Sequence, residues 1–318
     1  YFKDLADREM PAEAKEAVPC NDAMNISFEQ FMRLARDDAA HSYYLQTSLY
    51  ARDPTKDDAQ KPYVTSETLK ADLEGAMSSQ VWQEVAGAMG RPTWFRSQLF
   101  VGPVGTLGYG HFDQYDNVFL QVRGTKRILI FDPRSGARGL CPFPVHHPYD
   151  QRARLDLERP DFSAFPCADG LRGGGAEAVL RPGDAVFIPS HWWHHVESTS
   201  GSPEWCISVN FWFDGISPHL LNPPSTLTLQ LEVELARQVE YLAADVLGAE
   251  AVGAFAAACA DEAGQAPEVG PPLDDSRLPV VNYILRHLAL ILGPAEVRGF
   301  LEDYLRPERW RNLQRVCF

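Results

Sequence analysis

The chain has 318 residues, of which 45% are hydrophobic and 23% charged, as is typical of a globular protein with one large domain or one domain and a helical appendage. The formal net charge of -14 disfavours a nucleic-acid partner and a polybasic membrane-binding face, because both depend on Lys and Arg. No run approaches the roughly 18 apolar residues of a spanning helix, so we predict no membrane association. Because the sequence begins with Tyr1 and not with methionine, we expect the native N-terminus to lie upstream.

The cysteines show no repeated spacing and no Cys-x-x-Cys pair; they are Cys20, Cys141, Cys167, Cys206, Cys259 and Cys317. In a chain of this length such scattered cysteines indicate reduced thiols, and they favour neither a disulfide framework nor a structural zinc site. We therefore expect a reducing compartment, the cytoplasm and with it the nucleus.

Residues 1–95 are predicted to form a mainly helical support region. Ser27 and Gln30 have the spacing of a capping box, which begins a helix. Apolar residues follow at helical spacing, namely Phe28, Phe31, Met32 and Leu34. Further helices are predicted near residues 66–76 and 79–88.

Residues 96–215 contain short runs rich in branched and aromatic residues, which predict β-strands. These runs are residues 98–102, 117–123, 126–131, 185–189, 193–197 and 205–213. Turn signals such as Arg123-Gly124-Thr125 separate them. Many short strands joined by turns favour a sandwich or a small barrel.

Residues 216–318 are predicted to be helical again. A first helix carries an apolar stripe of Leu227, Leu231, Leu235, Val239, Leu242 and Val246. After it we predict a helix around 250–260, a linker over 264–279, an apolar helix over 280–292, and a last helix that has Val297, Phe300, Leu301, Tyr304 and Leu305 on one face. Because two such apolar helices bury poorly on one barrel, we expect a homodimer that covers them.

The main candidate for a metal site is His111-Phe112-Asp113. Residues two apart on a strand point to the same face, so the imidazole and the carboxylate converge. A third ligand would come from residues 192–197, where His194 and His195 face opposite sides and one of them can bind. Two histidines and one carboxylate suit non-haem iron(II), which keeps open positions for a co-substrate and oxygen. Taken alone, His-x-Asp arises often by chance and is then a surface pair.

Lys126 is the second chemical signal, because it shares a strand face with Ile128 and Ile130. An inward lysine is costly unless an anion satisfies it, and the distal carboxylate of 2-oxoglutarate would do so. The alternative is a lysine at a strand end that extends to solvent. Neighbouring strands offer three further residues, which would supply amide contacts and a wall or serve the structure alone; they are Asn117, Asn210 and Trp212.

These motifs resemble those of the Jumonji-C-like, cupin-fold hydroxylases and, among them, the asparaginyl hydroxylase that inhibits hypoxia-inducible factor. The resemblance covers most of residues 23–215 and about 278–306. It rests on Tyr44-Leu45-Gln46, His111 through Phe131, the segments 142–150 and 182–198, Val209-Asn210-Phe211-Trp212, and Leu292-Gly293 with Glu296-Val297. It implies a mainly β fold, a double-stranded β-helix over 96–215, flanked by the N-terminal helices and a C-terminal helical dimerisation region.

The resemblance also implies a site that uses iron(II), 2-oxoglutarate as co-substrate and oxygen. It implies the iron ligands His111, Asp113 and His194, and the co-substrate contacts Lys126, Tyr44, Asn117, Asn210 and the wall residue Trp212. It implies substrate contacts at Gln46, Tyr115, Gln151 and Arg152. It further implies a dimer interface centred on Leu301.

The sequence departs from the family pattern at several positions. Gly108 replaces a threonine that helps to hold the co-substrate, and Tyr115 replaces a glutamine of the substrate channel. Gln151-Arg152 reverses an Arg-Gln pair, and residues 225–275 form a helical insertion. The expected substrate is a protein or peptide, through the β-carbon of an asparagine or a similar residue in a loop, with ankyrin repeats as one expectation from the family. A tRNA-nucleoside hydroxylase, a lysine demethylase and a catalytically silent cupin-fold binding module remain alternatives.

Overall fold

The computed structural model describes residues 24–38, 43–51, 63–64, 94–199, 205–213, 226–260, 273 and 276–311. The helices predicted near 66–76 and 79–88, and most of the predicted linker 264–279, lie outside these residues. The strands in chain order are β1 (Leu45–Ala51), β2 (Tyr63–Val64), β3 (Trp94–Pro103), β4 (Leu107–His111), β5 (Asp116–Arg123), β6 (Lys126–Phe131), β7 (Ala176–Leu180), β8 (Ala185–Ile188), β9 (Trp193–Ser198) and β10 (Trp205–Phe213).

The strands form two antiparallel sheets. One sheet has the order β2-β1-β3-β10-β5-β8 and the other has the order β4-β9-β6-β7. Side chains along β5 point alternately toward and away from the second sheet. Asn117, Phe119 and Gln121 point toward it and are buried, whereas Val122 is 46% exposed. Phe119 packs between the sheets with Ile128 of β6. The space between the sheets is therefore lined by alternate residues of both.

The helices in chain order are α1 (Phe28–Asp37), α2 (Pro133–Gly139), α3 (Leu229–Leu247), α4 (Val252–Cys259), α5 (Leu278–Leu292) and α6 (Val297–Tyr304). The predicted capping box begins α1, since Ser27 Oγ accepts from the amide of Gln30 and Gln30 Oε1 accepts from the amide of Ser27. Helices α2 to α6 cover the outer face of the four-stranded sheet, where Phe112 and Trp193 join their apolar core. At Gly136 of α2, any Cβ would collide with the indole of Trp193, so glycine allows this close packing.

The structure corrects three predictions. Residues 1–95 contribute strands β1 and β2 to the main sheet as well as a helix. Strand β7, which lies at a sheet edge, was not predicted, and β4 covers Leu107–His111 where the sequence predicted a strand over His111-Phe112-Asp113. The apolar stripe predicted for α3 is partly wrong, because Leu242 and Val246 are 43% and 53% exposed.

The predicted dimer interface centred on Leu301 stays a prediction. Leu301 is 6% exposed and belongs to the helical core of its own chain. The exposed apolar face of this region belongs to α5, where Leu290 is 75% and Ile291 58% exposed.

No single helix among the described residues has the length and apolar character to cross a membrane. Two helix pairs meet those criteria when joined across a sharp bend, Leu229–Leu247 with Ala249–Cys259 at 117° and Leu278–Leu292 with Val297–Trp310 at 110°.

Candidate metal centre

The strand register brings the predicted ligands together. His111 ends β4 and pairs directly with His194, the second residue of β9. Asp113 lies in the loop that follows β4, so the His-x-Asp motif extends past the strand end and does not lie wholly on a strand as predicted. One ligand atom from each of His111, Asp113 and His194 lies within 4.8 Å of the others, a grouping that could hold a metal ion.

Backbone carbonyls orient both imidazoles. Nδ1 of His111 lies 2.6 Å from the carbonyl oxygen of Tyr109, and Nδ1 of His194 lies 3.0 Å from that of Trp192. A carbonyl oxygen only accepts hydrogen bonds, so each Nδ1 carries the proton and each Nε2 has a free lone pair. This is the tautomer that binds a metal through Nε2.

The charges of the three side chains suit a cation. Burial, together with the neighbouring His194, lowers the pKa of His111 to about 3. Burial raises the pKa of Asp113, but His111 and His194 outweigh that effect, and the pKa of the carboxyl lies below its usual value. At neutral pH the site therefore offers neutral imidazole and ionised carboxylate, the protonation states that metal binding requires.

Two hydrogen bonds hold Asp113, one at its side-chain carboxylate and one at its backbone carbonyl. The indole Nε1 of Trp212 donates to Oδ2 of Asp113 at 3.0 Å, and the amide of His191 donates to the carbonyl oxygen of Asp113 at 2.7 Å. Trp212 was predicted as a pocket wall, and the structure adds this hydrogen bond. His191 was not predicted, and nothing in the sequence pattern distinguishes it from the two histidines that follow.

The adjacent histidines point to opposite sides, as the strand alternation predicts. His195 faces outward, where its Nε2 lies 2.8 Å from Oε1 of Glu158. His194 faces the cluster, 3.9 Å from Oδ2 of Asp113. The geometry thus brings His194, and not His195, to the other two residues.

Lys126 lies at the far end of the same interior space. It is fully buried, and its Nζ donates to Tyr44 Oη at 2.9 Å and to Ser208 Oγ at 2.8 Å. Its ammonium lies 5.1 Å from the ring centre of Phe119, and burial lowers its pKa to about 7. No carboxylate pairs with Lys126 within the described part of the chain. Such a lysine fits an anionic ligand, because an unpaired buried ammonium is unfavourable.

Ser208 is a contact that the sequence analysis missed. It is fully buried on β10, and Asn210 and Trp212 follow it at intervals of two. This alternation would have placed Ser208 on the same face as the two predicted residues.

Asn117 and Asn210, between the ligand cluster and Lys126, have polar side-chain atoms without a hydrogen-bond partner among the described residues. Asn117 is 1% exposed and Asn210 6% exposed. Both side-chain polar atoms of Asn117 and the Oδ1 of Asn210 have no hydrogen-bond partner among the described residues. Since an unmade buried hydrogen bond costs about 1–3 kcal/mol, these amides suit a polar ligand.

The residues predicted to contact substrate lie on several segments. Gln46 pairs with Phe100 of β3 and shares its face, and Tyr115 lies two residues after Asp113. Arg152 forms an isolated bridge with His111, and Gln151 has a φ of 70° and accepts a hydrogen bond from the Phe112 amide. The segment that contains Gln151 and Arg152 thus packs behind the metal loop, and a substrate-binding role for these residues stays a prediction.

Comparisons with known proteins agree with this architecture. The chain is 33% identical over 114 residues to "Lysine-specific demethylase JMJ31" of Arabidopsis thaliana, which covers 36% of the chain and 20% of that protein. It is 31% identical over 170 residues to "HSPB1-associated protein 1" of Mus musculus, covering 52% of the chain and 33% of that protein. It is 25% identical over 178 residues to "tRNA wybutosine-synthesizing protein 5" of Danio rerio, covering 54% of the chain and 48% of that protein.

The chain therefore spans less than half the length of each of these relatives. A family model described as a cupin-like domain matches residues 6–219, which is more than half of the chain. The match includes both sheets, the three clustered ligands and Lys126. The chain belongs to the cupin-like domain family.

Proposed function

We propose that this protein is an iron(II)- and 2-oxoglutarate-dependent dioxygenase that hydroxylates a protein side chain. One observation carries the proposal: the cluster of His111, Asp113 and His194 lies at one end of the space between the sheets, and the buried Lys126, which pairs with no carboxylate among the described residues, lies at the other. On β9, His194 pairs with Ile130, whereas Ser198 pairs with Lys126. Four residues of strand span about 13 Å, which leaves room for a short dicarboxylate between the metal and the ammonium.

Each residue has a defined part in this proposal. His111, Asp113 and His194 would hold iron(II) and leave its other positions open. Tyr44 and Ser208 orient the ammonium of Lys126 toward the distal carboxylate of 2-oxoglutarate. Asn117 and Asn210 offer amide contacts along the pocket. When bound, iron(II) and 2-oxoglutarate would supply the oxidation: dioxygen would give one oxygen atom to succinate, as 2-oxoglutarate loses carbon dioxide, and the other to the substrate.

The proposed substrate is an asparagine, or a similar residue, in a protein loop such as that of an ankyrin repeat. Its support is the resemblance to the asparaginyl hydroxylases, with Gln46, Tyr115, Gln151 and Arg152 as proposed contacts. Methyl-lysine demethylation is a second candidate, favoured by the relative that is named a lysine-specific demethylase. A tRNA substrate has the support of another relative's name, but the net charge of -14 opposes it.

We also propose a homodimer in the cytoplasm, extending to the nucleus. The exposed apolar face of α5, which includes Tyr283 at 59% exposure, supports self-association. Free cysteines, among them Cys141 and Cys206, suit a reducing compartment in which iron stays ferrous.

The first test is an anaerobic titration of iron(II) and 2-oxoglutarate, followed through the visible metal-to-ligand charge-transfer band. We expect a band in the wild type that is lost in His194→Ala, weakened in Lys126→Ala and kept in His195→Ala. The His195 variant is the matched control, because that ring faces outward. Absence of the band in the wild type would overturn the dioxygenase proposal and favour a cupin-fold binding module.

The second test concerns the substrate. Asparagine-containing ankyrin peptides and methyl-lysine peptides are incubated with the enzyme, iron(II), 2-oxoglutarate and oxygen, and analysed by mass spectrometry. Gain of one oxygen atom on asparagine supports hydroxylation. Loss of a methyl group, with release of formaldehyde, would support demethylation instead.

A further inference from the structure

Helix α3 carries a row of charged residues that face the interior. Glu234, Arg237 and Glu240 follow one another at intervals of three and so lie on one side of the helix. Arg237 and Glu240 are only 8% and 2% exposed. Charged groups are buried at such positions when each has a specific partner.

The partners come from the segments that surround the metal cluster. Oε1 of Glu234 lies 2.7 Å from Nε2 of His191. Arg237 forms a two-pronged ion pair with Asp150, at 2.7 and 2.8 Å. Glu240 accepts from the amide of Val145 at 2.6 Å.

Two of these contacts, the Glu234–His191 hydrogen bond and the Arg237–Asp150 ion pair, lead directly to the His111-Phe112-Asp113 segment. The amide of His191 donates to the carbonyl oxygen of Asp113 at 2.7 Å, which joins Glu234 to the metal loop through one residue. The residue after Asp150 is Gln151, whose carbonyl oxygen accepts from the amide of Phe112 at 3.1 Å. Both of these backbone hydrogen bonds therefore join the metal loop to segments that α3 holds, one through the Glu234–His191 hydrogen bond and the other through the Arg237–Asp150 ion pair.

The backbone at both contacts is strained. His191 has a φ of 63° and Gln151 a φ of 70°, a left-handed conformation that is unfavourable for residues other than glycine. Such conformations persist where the surroundings fix them. The Glu234–His191 hydrogen bond and the Arg237–Asp150 ion pair are contacts that can fix these two turns.

We propose that Glu234 and Arg237 are positioning residues that set the geometry of the metal loop from outside the barrel. The proposal gives a role to the helical insertion at residues 225–275, which was predicted to have no counterpart in the asparaginyl hydroxylases. It rests on the proposed metal site, but it concerns how the loop is held and not which reaction follows.

The test compares Glu234→Ala with Glu232→Ala, a matched control on the same helix. Glu232 also accepts hydrogen bonds, from Arg134 at 2.7 Å and from Tyr304 at 2.8 Å, but these partners lie on α2 and α6 and not on the two segments that hydrogen-bond to the metal loop. Hydrogen exchange of the metal-free protein is measured over the peptides that contain Phe112 and His191. We expect faster exchange there in Glu234→Ala, wild-type exchange in Glu232→Ala, and recovery in Glu234→Gln, which keeps an acceptor oxygen for His191.

Metal affinity is the second readout, measured by titration with cobalt(II) as an oxygen-stable probe. We expect about tenfold weaker binding in Glu234→Ala and in Arg237→Lys, which keeps the charge but loses the two-pronged geometry, and unchanged binding in Glu232→Ala. Equal effects of Glu234→Ala and Glu232→Ala on exchange would overturn the positioning role. A wild type that binds no metal would instead overturn the proposed function, while the exchange comparison would still decide the role of α3.

Discussion

The indole nitrogen of Trp212 donates a hydrogen bond to Oδ2 of Asp113 at 3.0 Å, across 99 residues of sequence. Trp212 lies on β10 of the six-stranded sheet, whereas Asp113 follows β4 of the four-stranded sheet. This hydrogen bond therefore links the two sheets at a metal-ligand candidate. Such a hydrogen bond fixes the orientation of the carboxylate relative to the two histidines of the cluster.

Replacing Trp212 with Phe should weaken metal binding about tenfold, because the aromatic wall is kept and the donor to Asp113 is lost. The dissociation constant for cobalt(II) measures the effect. Trp205→Phe is the control, since Trp205 lies on the same strand and packs against Phe31 at 5.9 Å. Wild-type affinity in Trp212→Phe would show that the indole serves only as a wall.

Replacing Lys126 with Met should have opposite effects on stability and on co-substrate binding. Burial holds the pKa of Lys126 near 7, so its ammonium is an unfavourable charge in the unliganded protein. Removing that charge should raise the melting temperature of the apo protein. Binding of 2-oxoglutarate should weaken roughly a hundredfold, or about 3 kcal/mol, through loss of the ion pair. A variant with lower stability and normal affinity would contradict the proposed role.

The affinity for 2-oxoglutarate should fall as the pH rises above 7. The pKa of Lys126 is about 7 in the unliganded protein, against the usual 10.5, so binding a carboxylate above pH 7 requires proton uptake. Between pH 7 and pH 10.5, Lys126 is protonated in the unfolded chain and mostly neutral in the folded chain. Lys126 therefore makes the stability of the apo protein rise with pH in this range. Calorimetry in two buffers of different ionisation enthalpy measures the uptake. Lys126→Met should show none, and equal uptake in the variant would assign the proton to another group.

Much of the site was predictable because strand alternation and short motifs specify it locally. Lys126 lies on a strand whose pattern is visible in the sequence, whereas His111 and Asp113, at the end of β4 and just after it, were found from the His-x-Asp motif. The structure brings this motif together with His194. The choice between His194 and His195 needed the family resemblance. Strand alternation predicts that the two side chains point to opposite faces of the sheet, but it does not predict which of them faces inward.

Other features depend on contacts between distant segments and were missed for that reason. Leu242 and Val246 of α3 are exposed, whereas Arg237 is buried. The half-buried carboxylate of Asp150 pairs with Arg237 and allows this burial. A stripe of apolar residues cannot reveal such an ion pair. Similarly, β1 pairs with β3 across about 50 residues of chain, and local pattern alone does not predict that pairing.

Replacing Gly108 with Thr should strengthen 2-oxoglutarate binding. Gly108 pairs with Val196, whose side chain packs between the sheets, and a Cβ at Gly108 would meet the Val196 side chain at 3.5 Å, an ordinary contact. The family resemblance implies a co-substrate hydroxyl at this position. One added hydrogen bond is worth about 1 kcal/mol, or roughly fivefold in affinity. Gly108→Val is the control, because equal strengthening by Val would assign the effect to packing and not to the hydroxyl.

The proposed dimer should depend on α5 and not on Leu301. Leu290 and Ile291 are 75% and 58% exposed, so Leu290→Arg with Ile291→Arg should abolish dimers and leave the fold intact. Leu301 is 6% exposed in its own chain, so Leu301→Ala should lower the free energy of unfolding by about 2–5 kcal/mol through the cavity that it creates. Sedimentation velocity and thermal unfolding separate the two effects. Leu242→Arg is the control at an exposed apolar residue of α3, and it should leave the dimer unchanged. A monomeric wild type would rule out the dimer, and dimers that persist in the α5 variant would move the interface to another surface.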